Sequence, residues 1–148
     1  MQKCTLGLGC FWKPEENFKN KSGIIETEVG YAGGHDSRVS YEEVCKGNTG
    51  HAEVVRLTFD EKLISFSKIV DLFFKMHDPT QENMQFPDVG PQYRSEIFYE
   101  TEDQKKQAEE ILNKKNQEYD GKIKTNISKI KNYCKAEEYH QKYIEKNR

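Results

Sequence analysis

LGLGCFWKPEE, residues 6–16, is the stretch on which the fold turns. Leu6 and Leu8 alternate with glycines as one face of a strand. Pro14, Glu15 and Glu16 read as the opening turn of a helix, where proline sacrifices no hydrogen bond and acidic groups meet the positive helix end. A strand over residues 3–9 therefore runs into a helix reaching to about residue 22, and Cys10 stands at the junction.

Outward from this junction the pattern repeats. IIETEVGY (24–31) and EVVRLTF (53–59) alternate like strands, while 65–77 sets Phe66, Ile69, Val70, Phe73 and His77 at helical spacing. EIFY (96–99) reads as a strand, and 102–118 as a helix with Ala108, Ile111 and Leu112 inward and a stop at Gly121. A weaker strand over 124–131 and a short closing helix over AEEYHQKYI (136–144) complete the chain. Two strand-helix-strand units sharing one sheet imply an α+β two-layer sandwich with a C-terminal helix. Between the halves, DPTQENMQFPDVGPQ (78–92) carries three of the four prolines and predicts a long loop, a feature uncommon in compact domains except at functional sites.

The 148 residues suit a single domain, 1–148, with a core of its own. Only 34% of residues are hydrophobic and 32% are charged, but eight phenylalanines, eight tyrosines and a tryptophan supply apolar bulk, which argues against disorder. The formal net charge is -2, with lysines scattered among glutamates, so no basic footprint for nucleic acid or an anionic membrane stands out. No apolar run reaches membrane-spanning length and the N-terminus lacks a signal-peptide layout, which gives a cytoplasmic expectation. The four cysteines contain no C-x-x-C and the four histidines are dispersed, so neither a disulfide framework nor a metal site is expected.

Strand parity then gathers three polar groups. Leu6, Leu8 and Cys10 share one side of the first strand; Ile25, Thr27, Val29 and Tyr31 one side of the second; Glu53, Val55, Leu57 and Phe59 one side of the third. A thiol, a phenol and a carboxyl thus stand at the ends of three apolar faces. Each alone could sit past a strand end in water, but a carboxylate on a buried face is costly, and no basic residue of matching parity is near Glu53. A protonated Glu53 is the alternative: raising its pKa from about 4.3 to about 7 takes roughly 4 kcal/mol, within what burial produces. An ordinary cysteine is about 3% thiolate at neutral pH. The helix N-terminus and Lys13 should draw Cys10 toward ionisation, against Glu15 and Glu16.

A sulfur nucleophile beside a neutral acid and a phenol suits an electron-poor centre bearing an oxygen that must be protonated. Phe11 and Trp12 could wall a small alkyl group, or simply be core aromatics at a helix start. His51, two residues before Glu53, keeps a cysteine hydrolase open as a rival, and a non-enzymatic binding module is the third reading.

Taken together, GCFW (9–12), GYAGG (30–34), YEEVCKGNTGHAEVV (41–55), QYRS (92–95) and AEEYHQKY (136–143) resemble the type A peptide methionine sulfoxide reductases over essentially the whole chain. The resemblance implies an α+β sandwich with a ferredoxin-like core and reduction of the S-epimer of methionine sulfoxide, free or in proteins, as oxidative-damage repair. It implies that Cys10 attacks the sulfoxide sulfur and becomes a sulfenic acid. Glu53 would protonate the oxygen, Tyr31 and Tyr93 would hydrogen-bond it, Phe11 and Trp12 would hold the methyl group, and Asp88 would organise the polar side. No bound cofactor is implied, only a thioredoxin- or glutaredoxin-type reductant, and a monomer is expected. Lys13-Pro14 departs from the family's usual glycine after the tryptophan, and the recycling cysteines that many members carry in a glycine-rich tail are not among these residues.

Recycling then falls to another thiol. Cys4, six residues from Cys10 on one strand, lies roughly 20 Å away, beyond the roughly 7 Å between Cα atoms that a disulfide spans. Cys45 is expected to be a buried structural thiol. Cys134 stands where the family more usually has an aromatic, between the last strand and the closing helix, and is the expected resolving cysteine, ahead of direct attack by an external thiol.

Overall fold

The computed structural model describes residues 1–147. Its elements run β1 (Gln2–Leu8), α1 (Trp12–Lys19), β2 (Ile24–Ala32), α2 (Tyr41–Cys45), β3 (Ala52–Phe59), α3 (Phe66–Met76), β4 (Met84–Gln85), β5 (Asp88–Val89), a 3-10 turn at Pro91–Tyr93, β6 (Ser95–Tyr99), α4 (Glu102–Glu118), β7 (Asn126–Lys129), β8 (Cys134–Lys135), a second 3-10 turn at Glu138–His140 and α5 (Tyr143–Lys146). Side-chain caps start α2, α3 and α4: Ser40, Ser65 and Thr101 each accept from a backbone N–H three residues on.

One sheet organises the molecule, in the order β7-β6-β1-β3-β2-β8. Its central strands are antiparallel and β7 joins β6 in parallel. Both expected strand-helix-strand units are present, β1-α1-β2 and β3-α3-β6, interleaved in that sheet. Cys4, Leu6, Leu8, Val29, Tyr31, Val55, Leu57, Phe59 and Ile97 pack on the helix side against Phe18 of α1, Phe66, Ile69, Val70, Phe73 and Phe74 of α3 and Ala108 of α4. A smaller cluster of Ala32, Ala52, Val54 and Phe98, with Ile130 and Tyr133 against it, covers part of the opposite face.

Several boundaries depart from the sequence reading. Helix α1 spans Trp12–Lys19, so Pro14 lies inside its first turn. Ile25 is 54% exposed, because a register shift between Ile24 and Glu26 reverses the alternation at the start of β2 and turns Ile24 inward instead. The long loop contains the β4–β5 hairpin and a 3-10 turn. Residues 136–144 do not form one helix: Lys142 is left-handed (φ 50°), and β8, the second 3-10 turn and α5 share the segment around it. Among the described residues, no helix is long and apolar enough to cross a membrane.

Candidate active site

Gly9 ends β1 with φ 96°, a conformation that suits glycine and turns the chain sharply into α1. The turn carries Cys10 and Phe11 over β3, where the Phe11 backbone N–H donates to Glu53 Oε1 at 3.3 Å. Glu53 is 1% exposed. Burial lifts its pKa from 4.5 to about 8, opposed by the Phe11 N–H and aided by the charge of Asp88, so the group holds its proton at neutral pH and can donate.

The Cys10 thiol is half-buried. Burial pushes it up to about 12, the Trp12 backbone N–H pulls it back, and Glu53, Asp88 and Cys45 push it further up. The expected pull toward ionisation is therefore outweighed: Lys13 points into solvent, and desolvation dominates. Thiol and acid are both protonated in the free site at pH 7.

Two phenols share this environment, and one is not the tyrosine expected. Tyr93, closing the first 3-10 turn, is half-buried and raised to about 12 by burial and then by Glu53, Cys45, Asp88 and Cys10. Asp88, in the two-residue β5, contributes charge to Cys10, Glu53 and Tyr93 alike. Tyr31 is a correction. It is 0% exposed and its hydroxyl donates to Glu137 Oε1 at 2.7 Å, so it has neither surface nor a free proton for a ligand. Tyr41, the first residue of α2, takes the outward place: it is half-buried, interacts with the Cys45 thiol, and is raised by burial and by charges including Glu53 and Tyr93. The one sequence signal for it was S-x-x-E at Ser40–Glu43, a capping box announcing a helix there.

Phe11 is 1% exposed and belongs to the core, its ring centroid 5.7 Å from Tyr31 and 5.2 Å from His140. Trp12 is half-buried, stacked on Tyr143 at 3.8 Å, and donates its indole N–H to His140 Nδ1 at 3.0 Å. Behind these groups run residues 137–142, which hydrogen-bond to β2, α1 and α2. Glu137 accepts from the Tyr31 hydroxyl and, at 2.9 Å, from the Tyr41 N–H. Gln141 pairs with both the N–H and the C=O of Val29, each at 2.9 Å. The Lys142 N–H donates to Glu15 Oε1 at 2.6 Å, while Thr27 donates to the other oxygen of that buried carboxyl at 2.8 Å. The sequence pattern predicts one helix here; the segment instead forms a 3-10 turn with a left-handed Lys142 after it, its polar groups being spent on β2, α1 and α2.

Arg94 fixes the turn that carries Tyr93. Its guanidinium donates to Glu96 at 2.6 Å, to the Pro91 carbonyl at 2.9 Å and to the Gly50 carbonyl at 3.0 Å. His77, half-buried and lowered to about 4 by desolvation, bonds through Nε2 with Ser95 at 2.7 Å, and Ser95 bonds with Thr125 at 2.7 Å. These anchors were not legible as site supports in the sequence.

His51 does not serve Cys10. It is 2% exposed, with Nε2 at 3.3 Å from the Asn132 carbonyl, and Nδ1 is walled by Gly34, where even a Cβ would stand 2.0 Å away. Its pKa is lowered by burial, and no nucleophile–base pair with Cys10 exists to support hydrolysis. Cys134 opens the edge strand β8. Its thiol rests on the carbonyls of Val39 and Lys135, each at 3.7 Å, and β8 is separated from β1 by β2 and β3. Two to three strand spacings put it about 10 to 14 Å from the Cys10 turn. Cys45, expected to be buried, is exposed, and Cys4 is 0% exposed inside an intact β1. Among the described residues, no group of three or more His, Cys, Asp or Glu could hold a metal ion.

Known proteins with this arrangement exist. Residues 2–148 match the family model described as peptide methionine sulfoxide reductase. A protein of Pelagibacter ubique (strain HTCC1062), described as peptide methionine sulfoxide reductase MsrA, is 56% identical over 146 residues, covering 99% of each chain. Among solved structures, Mxr1 from Saccharomyces cerevisiae in reduced form is similar with a TM-score of 0.94 at 39% identity, over 99% of this chain and 85% of that one. Mxr1 in complex with Trx2 is similar at 0.68 and 28% identity, over 96% of this chain and 84% of that one.

Proposed function

The chain belongs to the peptide methionine sulfoxide reductase family, and from that premise we propose how its residues reduce methionine sulfoxide. The reaction is a thiol-dependent repair of oxidised methionine, free or in polypeptides. The substrate is the S-epimer. Cys10 attacks the sulfoxide sulfur while Glu53 protonates the oxygen; methionine leaves as the thioether, and the oxygen remains on Cys10 as a sulfenic acid. Tyr93 and Tyr41 hydrogen-bond the oxygen, Asp88 supports the polar side, and Trp12 offers the methyl group an apolar face. Phe11 and Tyr31 stand behind these groups and hold them, Tyr31 through Glu137.

The observation that carries this reading is the Cys10–Phe11 turn laid over a buried, protonated Glu53. A neutral acid beside a neutral thiol does nothing to a neutral ligand until a basic oxygen arrives; protonating a sulfoxide makes its sulfur electrophilic and is the step such a pair can drive. The Mxr1–Trx2 complex supports a thioredoxin-type dithiol as the electron donor here. Cytoplasmic residence and a monomeric state complete the proposal.

The test is turnover of N-acetyl-methionine S-sulfoxide and its R-epimer with thioredoxin, thioredoxin reductase and NADPH. Only the S-epimer should be consumed, and Cys10→Ser should abolish turnover. Equal use of both epimers, or activity surviving in Cys10→Ser, would overturn the assignment.

A further inference from the structure

The geometry points to Cys45 as the resolving cysteine, forming a Cys10–Cys45 disulfide that presents its outer sulfur to the reductant. This rests on the sulfenic acid reading of Cys10 given above.

Cys45 is the last residue of α2, and Tyr41, four residues earlier, shares its face of that helix. The Tyr41 ring lies 4.5 Å from His140, whose ring lies 5.2 Å from Phe11, the residue after Cys10. On the other flank, Gln92 Nε2 donates to the Cys45 carbonyl at 3.5 Å, and Gln92 precedes Tyr93. Cys45 is thus framed by the two elements that frame Cys10, and the two thiols are close enough for Cys45 to act electrostatically on Cys10. Helix α2 has five residues, and the turns after it contain Gly47 and Gly50 at φ 76° and 79°, so Cys45 sits at the end of a short element bounded by glycine turns, the kind of segment that can shift to bring two Cα atoms within the roughly 7 Å a disulfide spans. The other two thiols are worse placed: Cys4 is enclosed in β1, and Cys134 lies across β2 and β3.

The chemistry balances. The Cys45 sulfur attacks the Cys10 sulfur of the sulfenic acid, the S–O bond breaks, and the oxygen departs as water with the Cys45 thiol proton. A dithiol of the thioredoxin class then attacks the exposed Cys45 sulfur, expels Cys10 as a thiol, and releases Cys45 by oxidising its own second thiol. The half-buried nucleophile never has to meet the reductant, which works on the exposed Cys45.

The reduced protein is mixed with excess methionine S-sulfoxide and no reductant, released methionine is counted, and peptides are mapped by mass. About one methionine per chain and a Cys10–Cys45 linked peptide are expected. Cys45→Ser should still release about one methionine, accumulate dimedone-reactive sulfenic acid at Cys10, and lose at least about tenfold in thioredoxin-supported turnover. Cys134→Ser should form the same Cys10–Cys45 link. A Cys10–Cys134 peptide in the unmodified protein, or full thioredoxin turnover by Cys45→Ser, overturns the assignment of Cys45 while leaving sulfoxide reduction intact. Absence of any methionine overturns both.

Discussion

Replacing Glu53 by glutamine should make the protein more stable as it makes it a poorer catalyst, and by an amount set by pH. In the unfolded chain the Glu53 carboxyl titrates near 4.5, in the folded chain near 8. Between those values the unfolded state has released a proton that the folded state still holds, so rising pH favours unfolding. For these two values, linkage gives a destabilisation of about 1 kcal/mol at pH 5 and about 4 kcal/mol at pH 8. Below pH 4 both states are protonated and the contribution vanishes. Glutamine fills nearly the same volume, keeps a donor, and carries no titration. Urea unfolding of the two proteins at pH 5 and pH 8 should therefore show the advantage of Glu53→Gln growing by about 3 kcal/mol between the two. An advantage constant to within about 0.5 kcal/mol would mean that Glu53 titrates normally in the fold, and the neutral-acid mechanism would lose its basis. Single-turnover methionine release, run in parallel, should decline above pH 8 in the unmodified protein as Glu53 ionises, and be slow at every pH in the variant.

Three further outcomes follow from the same groups. Iodoacetamide should label Cys10 slowly at pH 7, its rate climbing steadily up to about pH 12, while exposed Cys45 reacts sooner; early labelling of Cys10 would contradict the protonated thiol. Tyr41→Phe should lower kcat/KM by about tenfold with little loss of stability, whereas Tyr31→Phe, which strands the Glu137 carboxylate, should cost about 1 to 2 kcal/mol in denaturant melts and less in activity; the reverse pattern would restore Tyr31 as the ligand-facing phenol. Gln141→Ala leaves the buried N–H of Val29 unpaired, while its C=O keeps the Ala136 N–H, and should cost about 1 to 2 kcal/mol by urea titration, with no measurable change arguing that water replaces the amide.

The strand and helix order was legible because long amphipathic elements announce themselves by period: Phe66, Ile69, Val70 and Phe73 do so on α3, and Val55, Leu57 and Phe59 on β3. Glu53 was legible as well, since an acidic residue in phase with three buried neighbours has few explanations. The failures share a cause. Tyr31 and Tyr41 are both aromatic and near glycines, and only tertiary packing decides which hydroxyl is committed to Glu137 and which faces outward. The charge of Lys13 was visible but not its direction, so desolvation of Cys10, a property of everything packed around it, was underweighted. Residues 136–144 have helical composition but break into a 3-10 turn and the start of α5, because Glu137, Gln141 and Lys142 find their partners in β2, α1 and α2, far away in sequence. Cys45 and Cys134 could not be ranked without the strand order, which sets β2 and β3 between β8 and β1, and without the exposure of the α2 end that carries Cys45.

That segment has a consequence for the life history of the molecule. Glu137, His140, Gln141 and Lys142 hold Tyr31 and Tyr41, Trp12, Val29 and Glu15, so the nucleophile made among the first residues waits for contacts made among the last. On a ribosome, a nascent chain shorter than residue 142 has its cysteine already outside and its walls still unmade. The complete reactive pocket therefore forms only once residues 137–142 have been made and have docked on β2, α1 and α2, so the reactivity of a residue near one end of the fold depends on packing supplied by a segment far from it in the chain.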